Sequence, residues 1–244
     1  MTTPNLATEK DGDVTVKVQT DVQNDSSAQA AAQIRTTVLD AEGKAVSKAV
    51  TTDVTLAANS TAEKEQTLKV NKPALWSTEN PNLYYVQTEV LVGGKVKDTY
   101  KTTYGFRYIN FDANTGFSLN GKNVKLKGVC MHHDQGALGA ASERDAVYRQ
   151  VEKLKEMGCN AIRTSHNTPS SVLLEACNEL GMMVMDETFD GWAFPKNGNS
   201  QDFSTHFNQT ISADNKLLGA TTGDTWYKSV SYTHLRAHET LRHL

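Results

Sequence analysis

Three short polar clusters carry the residue types that can do chemistry in this chain: His132-His133-Asp134, Arg163-Thr164-Ser165-His166 and Asp186-Glu187-Thr188-Phe189-Asp190. Each closes an apolar run, LKGVCM, CNAI and MMVM in turn. An imidazole can donate to or accept from a hydroxyl, a carboxylate can accept from two, and a planar guanidinium fork can hold a carboxylate in place. Asp186 and Glu187 by themselves invite an acid/base reading. They are adjacent at a strand end, however, and adjacent strand residues point to opposite faces, so they cannot both address one bond. One is read as structural, the other as lining a pocket.

Those clusters need elements to hold them side by side, and the sequence between them has helical pattern. Ser142 can cap a helix with Asp145 at its third position, after which Val147, Val151 and Leu154 share a face and Gly158 stops it. A second helix takes Thr168 as cap and Pro169 in its first turn, buries Leu173, Ala176, Cys177 and Leu180, and ends at Gly181. Residues 125–131 read as the first buried strand. Short buried strands alternating with helices predict a βαβαβ order with parallel pairing, and the C-terminal ends of such strands are where α/β folds keep their chemistry. Neither GxGxxG nor GxxxxGKS/T occurs, so a nucleotide-binding sheet would lack its phosphate cradle, and the start of a barrel is the better reading.

Upstream, residues 13–104 are β in texture. Val14, Val16 and Val18 alternate with Thr15, Lys17 and Gln19, the period of a half-buried strand. Further β-rich runs fall at 32–39, 50–56, 65–70 and 83–92, with turn residues between them. Gly93-Gly94 is a two-residue hairpin signal, because glycine accepts the positive φ such turns require. Strands at this spacing predict a small antiparallel sandwich of immunoglobulin type over residues 1–105. The turn signals Asn114-Thr115-Gly116 and Asn120-Gly121 predict a hairpin leading into the α/β part. Beyond Trp192, residues 194–223 show no sustained period and read as a long loop, with a helix beginning near Asp224.

With 244 residues the chain has material for two domains. Its net charge of −3 gives no electrostatic reason to expect nucleic acid or an acidic membrane surface as partner. No stretch approaches the ~20 apolar residues of a spanning helix, so no membrane partner is expected. The N-terminus has no apolar signal-peptide core, and the compartment stays open between cytoplasm and periplasm. Cys130, Cys159 and Cys177 form no close pair and sit beside apolar residues; each is read as a small buried hydrophobe ahead of a disulfide, zinc site or nucleophile. The final stretch SYTHLRAHETLRHL holds three of the seven histidines. His238-Glu239 begins like HExxH, but His243 falls one residue too late, so residues 231–244 are read as a non-native or disordered tail.

Taken in order, LWSTENPNLYYVQTEVL, YGFR, FSLNGKNVKLKGVCMHHD, MGCNAIRTSHNTP and LGMMVMDETFD resemble glycoside hydrolase family 2, over residues 75–226. The HHDQGALGA and DETFDGW variants look most like the bacterial β-galactosidase branch. The resemblance implies an immunoglobulin-like β-sandwich followed by the N-terminal half of a TIM (β/α)8 barrel over residues 106–230. It also implies a retaining exo-glycosidase acting on terminal β-D-galactosides in oligosaccharides or glycans, with two glutamates about 5 Å apart as acid and nucleophile. Both belong to later barrel strands, the acid in an Asn-Glu sequence; Asn178-Glu179 lies in the second helix and reads as a helix-surface pair. A whole barrel needs ~200 residues or more, so the chain looks like a fragment, inactive alone and without catalytic residues of its own. The runners-up are a β-glucuronidase or other family 2 glycosidase, and a non-catalytic carbohydrate-binding or interaction module on the same scaffold.

Residue by residue, His132 and His166 match the family's two sugar-contacting histidines, with a purely structural hydrogen-bonding role as the alternative for each. His133 points the other way if the strand continues. Asp134 either accepts from two sugar hydroxyls or caps the following turn. Arg163 matches the family's buried arginine, holding a catalytic carboxylate or simply supporting the barrel by a salt bridge. Asp186, Glu187 and Asp190 are read as supporting carboxylates, one of the first two lining the pocket. Trp192 stacks on a sugar face or packs in its loop. Some relatives bind magnesium near Asp190 through Glu-x-His, but Gly191-Trp192 follows here, so the histidine is missing and neither metal nor other cofactor is expected. A carbohydrate is the expected partner, with a homo-oligomer an open expectation for the whole enzyme.

Overall fold

The structure, a computed structural model, describes residues 1–8, 13–187, 209–212 and 225. It divides into two compact units, Met1–Leu126 with Asn178–Met182, and Lys127–Cys177 with the described residues from Met183 onward.

Six antiparallel strands build most of the first unit: β1 (Asp13–Asn24), β2 (Ala30–Leu39), β3 (Val50–Leu56), β4 (Ser60–Asn71), β5 (Tyr84–Val92) and β6 (Lys95–Tyr104). β1 pairs with β4, and the order β3-β2-β5-β6 forms a second sheet. The alternating valines of β1 face inward with Leu68 and Val70 of β4, against Val38, Val86, Tyr84, Tyr104 and Phe106. Burying each such side chain contributes roughly 1.5–3 kcal/mol, which is why the period-2 pattern dictates which face points in. Phe106 is fully buried and meets Tyr84 and Tyr104 edge to face, with ring centroids 4.9 and 5.2 Å away. Gly93 and Gly94 turn between β5 and β6 at φ 60° and 75°, the hairpin geometry expected of that pair.

A buried polar link crosses this core. Gln66 of β4 accepts from Thr36 Oγ1 at 2.6 Å and donates through Nε2 to Ile34 O, Val50 O and Thr52 Oγ1 at 3.0–3.1 Å. One side chain thus ties the small sheet to two strands of the large one. Trp76, also fully buried, has its N–H bonded to Phe106 O, accepts from Asn120 Nδ2 at 2.9 Å, and donates from Nε1 to Asn178 O at 2.8 Å. Arg107 stacks its guanidinium 4.5 Å from the same ring. The LW and YGFR motifs are therefore joints of the scaffold. The hairpin expected after Tyr104 is a three-stranded meander of β7 (Ile109–Asp112), β8 (Gly116–Leu119) and β9 (Lys122–Asn123). Both turn signals act: Asp112 Oδ1 accepts from the Asn114 and Thr115 N–H groups, and Asn120-Gly121 turn at φ 53° and 76°.

The remaining elements are β10 (Gly128–Met131), α1 (Arg144–Glu156), β11 (Ala161–Thr164), α2 (Ser171–Leu180), whose residues from Asn178 belong to the first unit, and β12 (Met183–Met185), with the strands parallel in the order β10-β11-β12. This is the βαβαβ start of a (β/α)8 barrel. Three details differ from the sequence reading. β10 begins at Gly128, and its residues are half-buried or exposed, because β11 is its one partner among the described residues. Glu143, not Ser142, is the N-cap of α1, and no side-chain bond caps it. At α2 the role falls to Ser170, whose Oγ accepts the Leu173 N–H at 3.3 Å, so the helix starts after Thr168-Pro169. Gly158 and Gly181 follow the helices at φ 85° and 73°, as expected. Asn178 and Glu179 do lie inside α2, with Glu179 exposed.

No helix among the described residues is long and apolar enough to cross a membrane. The helix expected near Asp224 and the tail at 231–244 lie outside the described residues, as does most of the loop expected over 194–223.

Candidate functional site

Parallel pairing brings the three polar clusters to one end of the sheet. Met131 stands opposite Thr164 in the register, and the ladder continues one step with Ser165 N–H donating to Met131 O at 3.0 Å. His132 and Ser165 therefore leave their strands side by side. The third strand is fixed by Thr164, buried at the end of β11, whose Oγ1 accepts the Glu187 N–H at 3.0 Å.

Glu187 then reaches two groups of the second cluster. Arg163 Nη2 lies 2.8 Å from its Oε2, and His166 Nδ1 lies 2.9 and 3.0 Å from its two oxygens. The His132 ring stands edge to face with that of His166, centroids 5.5 Å apart. The Ser165–His166 peptide is cis. Arg163 Nη1 also reaches Cys130 Sγ at 3.3 Å and Ser165 Oγ at 3.4 Å. Hydrogen bonding from the Ser165 hydroxyl, then from Arg163, pulls the Cys130 thiol below its usual range.

Two expectations need correction here. Arg163 is not buried, since its side chain keeps 40% exposure, and it is held by contacts with partners on three sides. Cys130 is exposed and belongs to this polar cluster; Cys159 is half-buried, and only Cys177 is the buried hydrophobe expected of all three. The reason is register: Cys130 stands directly opposite Arg163 on an edge strand, a relation that apolar sequence neighbours do not reveal.

Asp134 performs the turn-capping role, with Oδ1 accepting the Gly136 N–H at 2.8 Å. The loop after β10 is tied to α1 by Gln150, which accepts from Gln135 Nε2 at 2.8 Å and donates to Asp134 O at 3.2 Å. His133 is exposed, and with His132, Met131, Gln135 and Val147 it borders an open depression between this loop and α1. Asp186 follows β12 directly, and Asp190 and Trp192 lie outside the described residues. Sequence reasoning placed Thr164 and Ser165 in the second cluster without giving either a role, and missed Gln150; polar residues at or just beyond a strand end, and a glutamine on an otherwise ordinary helix, were the available signals. Among the described residues there is no group of three or more His, Cys, Asp and Glu side chains arranged to hold a metal ion.

Comparison with known proteins agrees with this architecture. Residues 1–107 match glycosyl hydrolases family 2, and residues 113–224 match the family's TIM barrel domain. The chain belongs to glycosyl hydrolases family 2, whose members related to it are glycoside hydrolases. A β-galactosidase of Bacteroides ovatus is 39% identical over 199 residues, 82% of this chain and 23% of that protein. The crystal structure of a family 2 member from Bacteroides cellulosilyticus matches with a TM-score of 0.71 and 42% identity, covering 75% of this chain and 25% of its own. A β-glucuronidase of Bacteroides uniformis matches with a TM-score of 0.71 and 30% identity, covering 78% and 23%. The chain thus spans about a quarter of the length of these relatives.

Proposed function

We propose that this chain supplies one wall of the sugar pocket of a retaining exo-glycosidase acting on terminal β-D-galactosides. In this reading His132, His166, Trp192 and the Asp134 carboxylate oxygen that does not cap the turn meet the sugar, and Arg163, Asp186, Glu187 and Asp190 support them. The observation that carries it is the convergence of His132, His166, Arg163 and Glu187 at the C-terminal ends of parallel strands, the place where barrel enzymes bind and transform substrates. Imidazoles set at that end can exchange hydrogen bonds with hydroxyls, and a rigid carboxylate–guanidinium pair keeps them in place.

On this wall of the pocket, charge is compatible with a neutral sugar. The Arg163 guanidinium is engaged by Glu187 at 2.8 Å, so this cation is already matched, whereas a uronate carboxylate would call for an unmatched one. A β-glucuronide substrate is the second reading, supported by the likeness to the Bacteroides uniformis β-glucuronidase.

The test compares the whole protein encoded around this chain on nitrophenyl β-galactoside and nitrophenyl β-glucuronide. We expect kcat/KM for the galactoside to be at least ~10-fold higher, a difference of about 1.4 kcal/mol in transition-state stabilisation. A preference of that size for the glucuronide would replace the first reading with the second. Finding no Asn-Glu acid motif or second glutamate in the adjoining coding sequence would instead favour a binding module.

A further inference from the structure

Glu187 does more than neutralise Arg163. Both of its carboxylate oxygens lie within 3.0 Å of His166 Nδ1. An ionised carboxylate only accepts hydrogen bonds, so contacts this short place the proton on Nδ1; a bare nitrogen there would set lone pair against lone pair. Arg163 Nη2 stands 3.4 Å from the same nitrogen and by itself would favour the opposite arrangement, with Nδ1 accepting. The shorter, charge-assisted contact decides between them, because hydrogen bonds weaken steeply toward that longer distance, and Nη2 is already bonded to Glu187 Oε2 at 2.8 Å.

In an imidazole carrying one proton, placing it on Nδ1 leaves Nε2 bare. We infer that Glu187 is a positioning residue that fixes His166 in the Nδ1–H tautomer, so that the pocket presents an acceptor, not a donor, at His166 Nε2. The backbone supports the assignment, since Thr164 Oγ1 holds the Glu187 N–H at 3.0 Å and so fixes where the carboxylate's backbone sits. A ligand hydroxyl would have to donate at this point, and an ether or fluorine in its place would leave the nitrogen unsatisfied. That ligand consequence rests on the sugar-pocket reading above; the tautomer does not.

The experiment is a long-range nitrogen–proton correlation spectrum of the 15N-labelled chain at alkaline pH, where imidazoles carry one proton. His166 Nε2 is expected in the bare-nitrogen region and Nδ1 in the protonated region. Glu187→Ala, with Glu187→Asp as the conservative rescue, is expected to shift His166 toward the Nε2–H form and back. A wild-type spectrum with the proton on Nε2, or an unchanged pattern in a folded Glu187→Ala chain, overturns the inference. If Glu187→Ala does not fold, the wild-type spectrum decides. Adding isopropyl thio-β-galactoside to the whole protein encoded around this chain separates the two claims: a perturbed His166 Nε2 resonance supports the pocket, while an unperturbed one overturns the pocket reading and leaves the tautomer standing.

Discussion

Cys130 and Cys177 put one functional group in two opposite settings. Ser165 and Arg163 stabilise the thiolate of the exposed Cys130, whereas burial pushes the Cys177 thiol up to about 12. At pH 7 iodoacetamide should therefore label Cys130 first, as peptide mass spectrometry over a time course would show, and Arg163→Gln should slow it. Labelling of Cys177 ahead of Cys130 in the native chain would contradict these settings. The sign for stability follows from the raised value. The folded state holds the Cys177 proton more tightly, so its contribution is complete below the ordinary thiol range near 8.5 and is lost as pH rises toward 12. Gln66 makes the matching case inside the sandwich. Replacing it with Leu leaves the Thr36 hydroxyl and the Ile34 and Val50 carbonyls without these bonds, and urea denaturation should register a loss of about 1–3 kcal/mol. No change in midpoint would mean that water replaces the amide.

Between elements, β10 comes close to β11 at Gly128. A Cβ on Gly128 would sit 2.2 Å from Ala161 O, a backbone atom that cannot swing aside. Gly128→Ala should therefore force the strands apart and lower stability by ~2 kcal/mol or more, with hydrogen exchange accelerating along β10 and the Ser165 N–H to Met131 O bond. Unchanged protection there would show that the pair can slide without cost. Element type was legible in the chain wherever a period was strong: the β1 valines, the Val147 and Val151 stripe and the Gly93-Gly94 turn all do what their spacing implies. The helix starts were less legible. Ser142, Thr168 and Ser170 are all acceptable caps by type, and the choice fell to Ser170 at α2 and to uncapped Glu143 at α1 once packing had set where each helix begins.

For the whole chain, the described residues contain, on the proposed reading, the grip of a glycosidase pocket, and we expect no turnover of nitrophenyl β-galactoside by this chain alone. Release of nitrophenol that is abolished by a substitution at Glu187 or Asp186 would defeat that expectation. Sequence by itself determined the family, through the ordered series from LWSTENPN to MMVMDE, and the architecture, through period-two strands up to about residue 104 and a helical period that first appears after Ser142. It also named His132, Arg163, His166 and Glu187 as the groups with chemistry. What it could not assign was partnership. Whether Glu187 or Asp186 turns toward Arg163, whether Asp134 caps a turn, and whether Cys130 is core or cluster depend on parallel register and on the exit angle of each strand. These are set by contacts between residues distant in the chain, such as Thr164 with Glu187 and Cys130 with Arg163, and local pattern carries no record of them.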